Sequence, residues 1–285
     1  MSAQEAGAPP AGVAVTLHTA AGDVRVHVWP AADGGAGRPV LLCHHGWANS
    51  GEVFGPLATA LGRRWTVVAP DAPGHGGTPW APAPRYRVAD HAATALAVLD
   101  RLPQVAGRRA GVVVHGHSLG ALTAARAAAA RPDVVAHLVL EDPARAALRR
   151  VPTAAAMHAG TAALQALDDD ALLAAGRAAA PTWPDDEFGP WARSKREVSP
   201  AALSVPADWG EPLVELLADV RAPVTLVHGR VARGGAVSAV AARRCAAACR
   251  GGCEIVALEC GHHPRREARE PFIAVLASIL GRHAR

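Results

Sequence analysis

Aromatic residues are scarce in this chain: one tyrosine, three phenylalanines and seven tryptophans make up 4% of 285 residues. A nucleic-acid groove wants basic residues interleaved with stacking aromatics. Here the basic residues are spread along the chain, with small clusters at RRAG (108–111) and HHPRREAR (262–269). The formal charge of +4 therefore reads as a solvated surface, and no nucleic-acid partner is expected. Five cysteines make an odd count without a C-x-x-C pair, so a structural zinc site has no support. Cys245, Cys249 and Cys253 recur every four residues, but Gly251-Gly252 would break a helix before the third. The five read as small apolar fillers. No uninterrupted apolar run reaches the length of about 18 residues that spans a bilayer. The stretch MSAQEAGAPPAG has no apolar h-region; it reads as a flexible tail over 1–12 and not as a signal peptide. A reducing cytoplasm is the expected setting. No internal repeat is visible.

What the chain does have is small apolar mass. Half of its residues are apolar, and most of these are Ala, Val and Leu. VAVTLH (13–18) and VRVHVW (24–29) read as two strands around a Gly-Asp turn. VLLC (40–43) reads as a buried strand, and WTVVAPD (65–71), AGVVVHG (110–116), VVAHLVLED (134–142), APVTLVHG (222–229) and CEIVALE (253–259) read as further strands. Helical patterns lie between them: GEVFGPLATALG, residues 86–102, LGALTAARAAAA, 236–248 and 267–281. Alternating helices and continuous apolar strands predict an α/β fold: a mostly parallel twisted sheet with helices on both faces and an antiparallel edge from the first two strands. Between 145 and 212 the alternation stops. A helical run, AAAMHAGTAALQALDDDALLAAGRAA, is followed by a Pro-, Trp- and charge-rich stretch. The expected organisation is a core of 13–144 and 213–285 with a mainly helical cap inserted at 145–212. Asp168, opening the DDD run, is a candidate N-cap.

The chemistry concentrates in VVVHGHSLGALTAA (112–125). GHSLG is a G-x-S-x-G sequence. A bare match is weak, but this one follows a predicted strand and opens a predicted helix, the context in which such a turn lifts a serine hydroxyl off the sheet edge. Gly116 and Gly120 leave room for the bend, and the helix behind Ser118 directs free N–H groups toward developing negative charge. The plain alternative is a glycine-rich turn with a capping serine. HHGWANSGEVF (44–54) is likewise either a turn shaped to receive an anion on its backbone or an ordinary strand-to-helix turn.

HHGW, APDAPGHGGT, GHSLGA, LEDPA, PVTLVHG and ECGHHP together resemble the α/β-hydrolase superfamily in its compact, capped form, over about residues 13–282. The resemblance implies a serine hydrolase without metal or organic cofactor, acting on a small-molecule ester, thioester or lactone. Ser118 is then the nucleophile and His262 the base, with His263 the weaker candidate. The backbone N–H groups of Trp47 and Leu119 form the oxyanion hole, and His45 shapes the turn. Relatives most often carry their acid past the HG of the penultimate strand, but HGRVARGGAVS (228–238) holds no Asp or Glu. Some, lipase-like ones among them, place it after the preceding strand. That implies Asp142, with Glu141 as alternate and Glu259 a remote third. Asp71 is expected to shape a loop, and Arg233 to lie at the surface. Trp47, Met157, Trp183, Trp191 and Trp209 are candidate pocket walls, favouring a largely apolar substrate. Serine at 118 argues against epoxide hydrolase and dehalogenase chemistry, which use aspartate there. Carbon–carbon bond hydrolysis, cofactor-free perhydrolysis and a noncatalytic binding role remain the rival functions.

Overall fold

The fold comes from a computed structural model, which describes residues 12–32, 39–79, 86–107, 111–144, 146, 154–204 and 212–284. Eight strands form one sheet: β1 (Val13–Thr19), β2 (Gly22–Trp29), β3 (Val40–His44), β4 (Thr66–Pro70), β5 (Val112–His117), β6 (Val135–Glu141), β7 (Val224–His228) and β8 (Cys253–Ala257). Their spatial order is β1-β2-β4-β3-β5-β6-β7-β8. β1 pairs antiparallel with β2, and β2 antiparallel with β4; every pairing from β4 to β8 is parallel. β3, β4, β5 and β7 are buried at every position, as their unbroken apolar runs require, whereas β2 alternates.

Helices cover both faces. On one side α2 (Val88–Ala106), α3 (Leu119–Ala130), α8 (Leu213–Leu217) and α9 (Ala239–Ala248) bury Leu99, Leu122, Leu216 and Cys245 against Val114, Leu138 and Leu226. On the other, α1 (Gly55–Ala60) and α11 (Arg269–Arg282) bury Leu57, Phe272 and Leu276 against Leu41, Val113 and Val139. Between β6 and β7 lie α4 (Ala154–Gln165), α5 (Asp169–Ala179), α6 (Phe188–Arg196) and α7 (Pro200–Ser204), a helical insertion ahead of α8.

The structure divides several predicted helices. GEVF is a 3-10 turn (Gly51–Phe54), and the α-helix starts only at Gly55, with proline in its first turn. The long helical run of the insertion breaks at Asp168, whose carboxylate accepts the N–H of Ala171 at 2.8 Å and caps α5. Near the C-terminus, a short α10 (Pro264–Glu267) precedes α11, and Ala268 parts them at φ −130°, ψ 52°. The predicted tail falls, but for Gly12, outside the described residues, as does Trp209.

Parallel pairing of β3 with β5 brings the start of α3 over the end of β3. A Cβ on Gly120 would lie 2.1 Å from the carbonyl oxygen of His44, and one on Gly116 would lie 2.2 Å from that of Gly120. Both obstacles are backbone, which cannot swing aside. Gly120→Ala should therefore lower the free energy of unfolding by about 3 kcal/mol, at the upper end of overpacking costs; urea denaturation against wild type checks this.

Candidate active site

β5 ends at His117, and the chain turns sharply into α3 through Ser118, whose backbone is held at φ 53°, ψ −113°. A non-glycine residue at such angles is strained by about 1–3 kcal/mol and persists only where its surroundings enforce it. Here the N–H of Ser118 donates to the carbonyl of Glu141 at 3.0 Å, and its own carbonyl accepts the N–H of Ala144 at 3.2 Å. Among the described residues only two other non-glycine residues have positive φ, Ala48 at 53° and Asp142 at 38°, and both flank the same site.

Ser118 Oγ lies 3.1 Å from His262 Nε2, and His262 Nδ1 lies 2.6 Å from Asp142 Oδ2. The carboxylate can only accept, so the imidazole proton sits on Nδ1 and the bare Nε2 accepts from the serine hydroxyl. Asp142 is fully buried at the tip of β6. Its carboxylate also accepts the N–H of Ala236 at 2.7 Å and of Gly229 at 3.3 Å. The acid-free stretch 228–238 thus contributes backbone donors that hold the displaced carboxylate.

Glu141 points elsewhere. It accepts from His115 Nε2 at 3.0 Å and from the N–H of Arg265 at 2.8 Å, with no bond to His262. Burial opposes its ionisation, but His117, His115 and Arg265 more than offset this and hold the carboxyl well below its usual range. Glu259 is exposed and paired with Arg230 and Arg233, so neither it nor Arg233 reaches the histidine.

Gly46 packs against the nucleophile turn: a Cβ there would lie 3.3 Å from Ser118 Cβ. The next amide is that of Trp47. Neither its N–H nor that of Leu119, the first residue of α3, donates to another described residue. His45 lies outside the relay. Its Nδ1–H donates to Gly46 O at 2.8 Å, its Nε2 accepts the N–H of Ala72 at 3.0 Å, and burial holds its pKa well below the ordinary value. Asp71 accepts the N–H of Gly51 at 2.6 Å and of Gly77 at 2.9 Å, a loop-shaping role.

The insertion reaches this site through α6 and the turn before it, and here the sequence reading needs correction. HHPRREAR is not a solvated cluster: Arg265 and Arg266 are 3% and 2% exposed. Both surround the buried Glu187, Arg265 Nη1 at 3.2 Å and Arg266 Nε at 2.9 Å, and Arg269 Nη2 adds a hydrogen bond at 2.8 Å. Arg266 also stacks on Trp183 (4.1 Å), whose ring meets that of His263 edge-on at 4.9 Å. Lys195, buried on α6, donates to the carbonyl of Ala48 in the Trp47 turn. Burial, with Arg266 nearby, pushes its amine down to about 7. Sequence reading overlooked Glu187, Lys195 and the two arginines as parts of the site. Of the candidate walls, Trp183 stands beside His263, while Met157 and Trp47 pack against the main core. Trp191 sits within the insertion, over Gly176 and near Lys195.

A family profile described as alpha/beta hydrolase fold matches residues 39–264. The chain belongs to the α/β-hydrolase fold family. It is 40% identical over 111 residues to Lipase LipV and 35% identical over 130 residues to Esterase Rv0045c, both of Mycobacterium tuberculosis (strain ATCC 25618 / H37Rv). Those stretches cover 39% and 46% of this chain but only 40% and 41% of the relatives, so the chain matches about two fifths of their length. Over nearly the whole fold it is similar to E-2-(acetamidomethylene)succinate hydrolase, with a TM-score of 0.76 at 23% identity, covering 95% of this chain and 100% of the other. It is also similar to an enol-lactonase from Burkholderia xenovorans LB400, with a TM-score of 0.69 at 18% identity, covering 94% and 100%. At these identities the likeness is one of fold. Among the described residues of this α/β-hydrolase, no helix is long and apolar enough to cross a membrane, and no group of three His, Cys, Asp or Glu is placed to hold a metal ion.

The pairing of Glu187 with Arg265 and Arg266 joins the insertion to the loop of His262. Glu187→Ala would leave two buried guanidinium groups short of their counter-ion, and removing one partner of a buried pair costs about 3–5 kcal/mol. Denaturant unfolding should show a loss of that size, far above the effect of Asp185→Ala, whose carboxylate is 86% exposed.

Proposed function

We propose that this α/β-hydrolase is a serine hydrolase cleaving a carboxylic ester, thioester or lactone of a small, largely apolar molecule through an acyl-enzyme. The single observation that carries the reading is the unbroken relay from Ser118 Oγ through His262 to Asp142, at 3.1 and 2.6 Å. In this reading Ser118 Oγ attacks the carbonyl carbon as His262 Nε2 takes its proton. Asp142 holds the ring in the tautomer that leaves Nε2 bare, and it stabilises the imidazolium that forms. The oxyanion gathers the N–H groups of Trp47 and Leu119, preorganised donors of the kind worth several kcal/mol to a transition state. Collapse of the tetrahedral adduct expels an alkoxide or thiolate, which takes the proton from His262. A water molecule, deprotonated by the same Nε2, then attacks the acyl carbon; the second adduct collapses by breaking its bond to Ser118 Oγ, which takes the proton back from His262 as the acid leaves.

The residues after β6, 145–212, are taken as the cap over this chemistry, with Trp183, Met157 and Trp47 supporting an apolar acyl or alcohol group. A reducing, cytoplasmic setting is part of the proposal, resting on the odd cysteine count without a C-x-x-C pair.

Two measurements test the proposal together. A fluorophosphonate should label Ser118 in the folded protein and fail to label Ser118→Ala; an unlabelled wild type would favour a noncatalytic binder. A panel of p-nitrophenyl esters of rising acyl length should turn over, while a vinylogous diketone, the substrate type of carbon–carbon hydrolases, should not. On the best ester, Asp142→Ala should lower kcat by about 10⁴-fold, the cost of losing the orienting carboxylate of such a relay. Equal losses in Asp142→Ala and Glu141→Ala would contradict the assignment of the acid.

A further inference from the structure

We propose that His117 is a positioning residue that ties the nucleophile turn to the backbone of the base itself. The proposal rests on the serine-hydrolase reading and adds to it a residue outside the relay.

His117 immediately precedes Ser118 and is 3% exposed. Its Nε2 lies 2.9 Å from the main-chain carbonyl oxygen of His262, a bond that spans 145 positions of sequence. A carbonyl only accepts, so the proton of His117 is on Nε2 and Nδ1 is bare. Nδ1 faces the turn before Trp47, where a Cβ on Gly46 would approach it to 2.9 Å. The ring also lies 4.9 Å from those of His262 and His263. One side chain thereby touches all three segments that must be in register: the serine turn, the oxyanion turn and the loop of the base.

The base loop has other anchors, but they hold its flanks. Glu267 accepts the N–H of Gly261 at 2.6 Å and of His263 at 3.0 Å. The N–H of Arg230 donates to Cys260 O at 2.8 Å, and Glu141 accepts the N–H of Arg265 at 2.8 Å. Among the described residues His117 alone bonds to the backbone of residue 262. The ring is also suited to the task at any working pH. Burial pushes its pKa down to about 3, assisted by His262 and opposed by Glu141, so it stays neutral with its donor in place. A catalytic contact tolerates displacement of only about 0.5 Å, and misplacement of a reacting group by about 1 Å costs on the order of 10²-fold in rate.

The test compares His117→Leu, which fills the space without a donor, with His117→Gln, whose amide nitrogen reaches toward the same carbonyl. Each is measured for ester turnover, for the rate of Ser118 labelling by a fluorophosphonate, and for melting temperature. The expected result is a fall in kcat of about 10- to 100-fold in the leucine variant with KM nearly unchanged. Labelling should slow in parallel, and glutamine should restore most of both rates while the two variants melt at similar temperatures. Wild-type kcat in the leucine variant overturns the proposal. So does an equal loss in both variants that follows their melting temperatures, since that is what plain packing predicts. If wild-type Ser118 itself does not react, the hydrolase reading falls, and the catalytic role of His117 with it.

Discussion

Contact between Gly120 and the carbonyl of His44 sets the geometry on which the site depends. Neighbouring parallel strands lie about 4.8 Å apart, so a helix that starts directly after β5 must cross the end of β3 at close range. A Cβ at position 120 would overlap the His44 carbonyl, and one at 116 would overlap Gly120. With both removed, α3 can begin one residue after the strand ends. The bend falls on Ser118, which accepts a left-handed φ to make it. The same crossing puts the first amides of α3 beside the Gly46 turn. The Ser118 turn and the amides of Trp47 and Leu119 are thus brought together by a single close approach, and the strain at Ser118 is held by hydrogen bonds at both its N–H and its carbonyl.

Charge within this region is sparingly placed. Burial lowers the pKa of His44, His45, His75, His91, His117 and His263, so these rings act as neutral donors and acceptors. The buried carboxylates each have named partners. Asp142 is held by His262 and two backbone N–H groups, Glu141 by His115 and Arg265, and Glu187 by three arginines. Glu141 is the last residue of β6, and at Asp142 the chain leaves the strand with its backbone turned to φ 38°. That turn gives the neighbours different partners: Asp142 meets the imidazole, while Glu141 secures the backbone just beyond it.

Much of this arrangement was legible because its signals are local. Strands β3 to β7 are short, largely apolar runs, and GHSLG carries its own strand-turn-helix context within a dozen residues. The missing acid at 228–238 could be read directly, and LEDPA supplied both carboxylates that the structure then separates. What escaped notice depends on contacts distant in sequence. Arg265 and Arg266 look solvated because Glu187 lies nearly eighty positions away in an insertion without strand–helix alternation. Lys195 sits among charged residues on α6, and only the fold shows it turned onto Ala48. His117 fills the variable position of the G-x-S-x-G pattern, so its bond to His262 is invisible without the sheet that brings β5 beside the last loop. The start of α5 was legible, because Asp168 opens an acidic run suited to capping, and its carboxylate does cap the helix.

α6 and the turn before it meet the core at three points of different character. Glu187 joins the base loop through buried arginines, Lys195 joins the oxyanion turn through Ala48, and Arg193 forms a two-toothed pair with Glu52 at 2.6 and 2.8 Å. The last is exposed and worth no more than about 1 kcal/mol. The first is buried, with the side chains of Glu187 and Arg266 each 1% exposed. Parting that pair would return both charges to water, so opening it costs less than deleting one partner, which strands a charge in the interior. The buried pair, the Lys195 contact and the exposed Arg193 pair together dock α6 and the turn before it against the loop of His262 and the Trp47 turn.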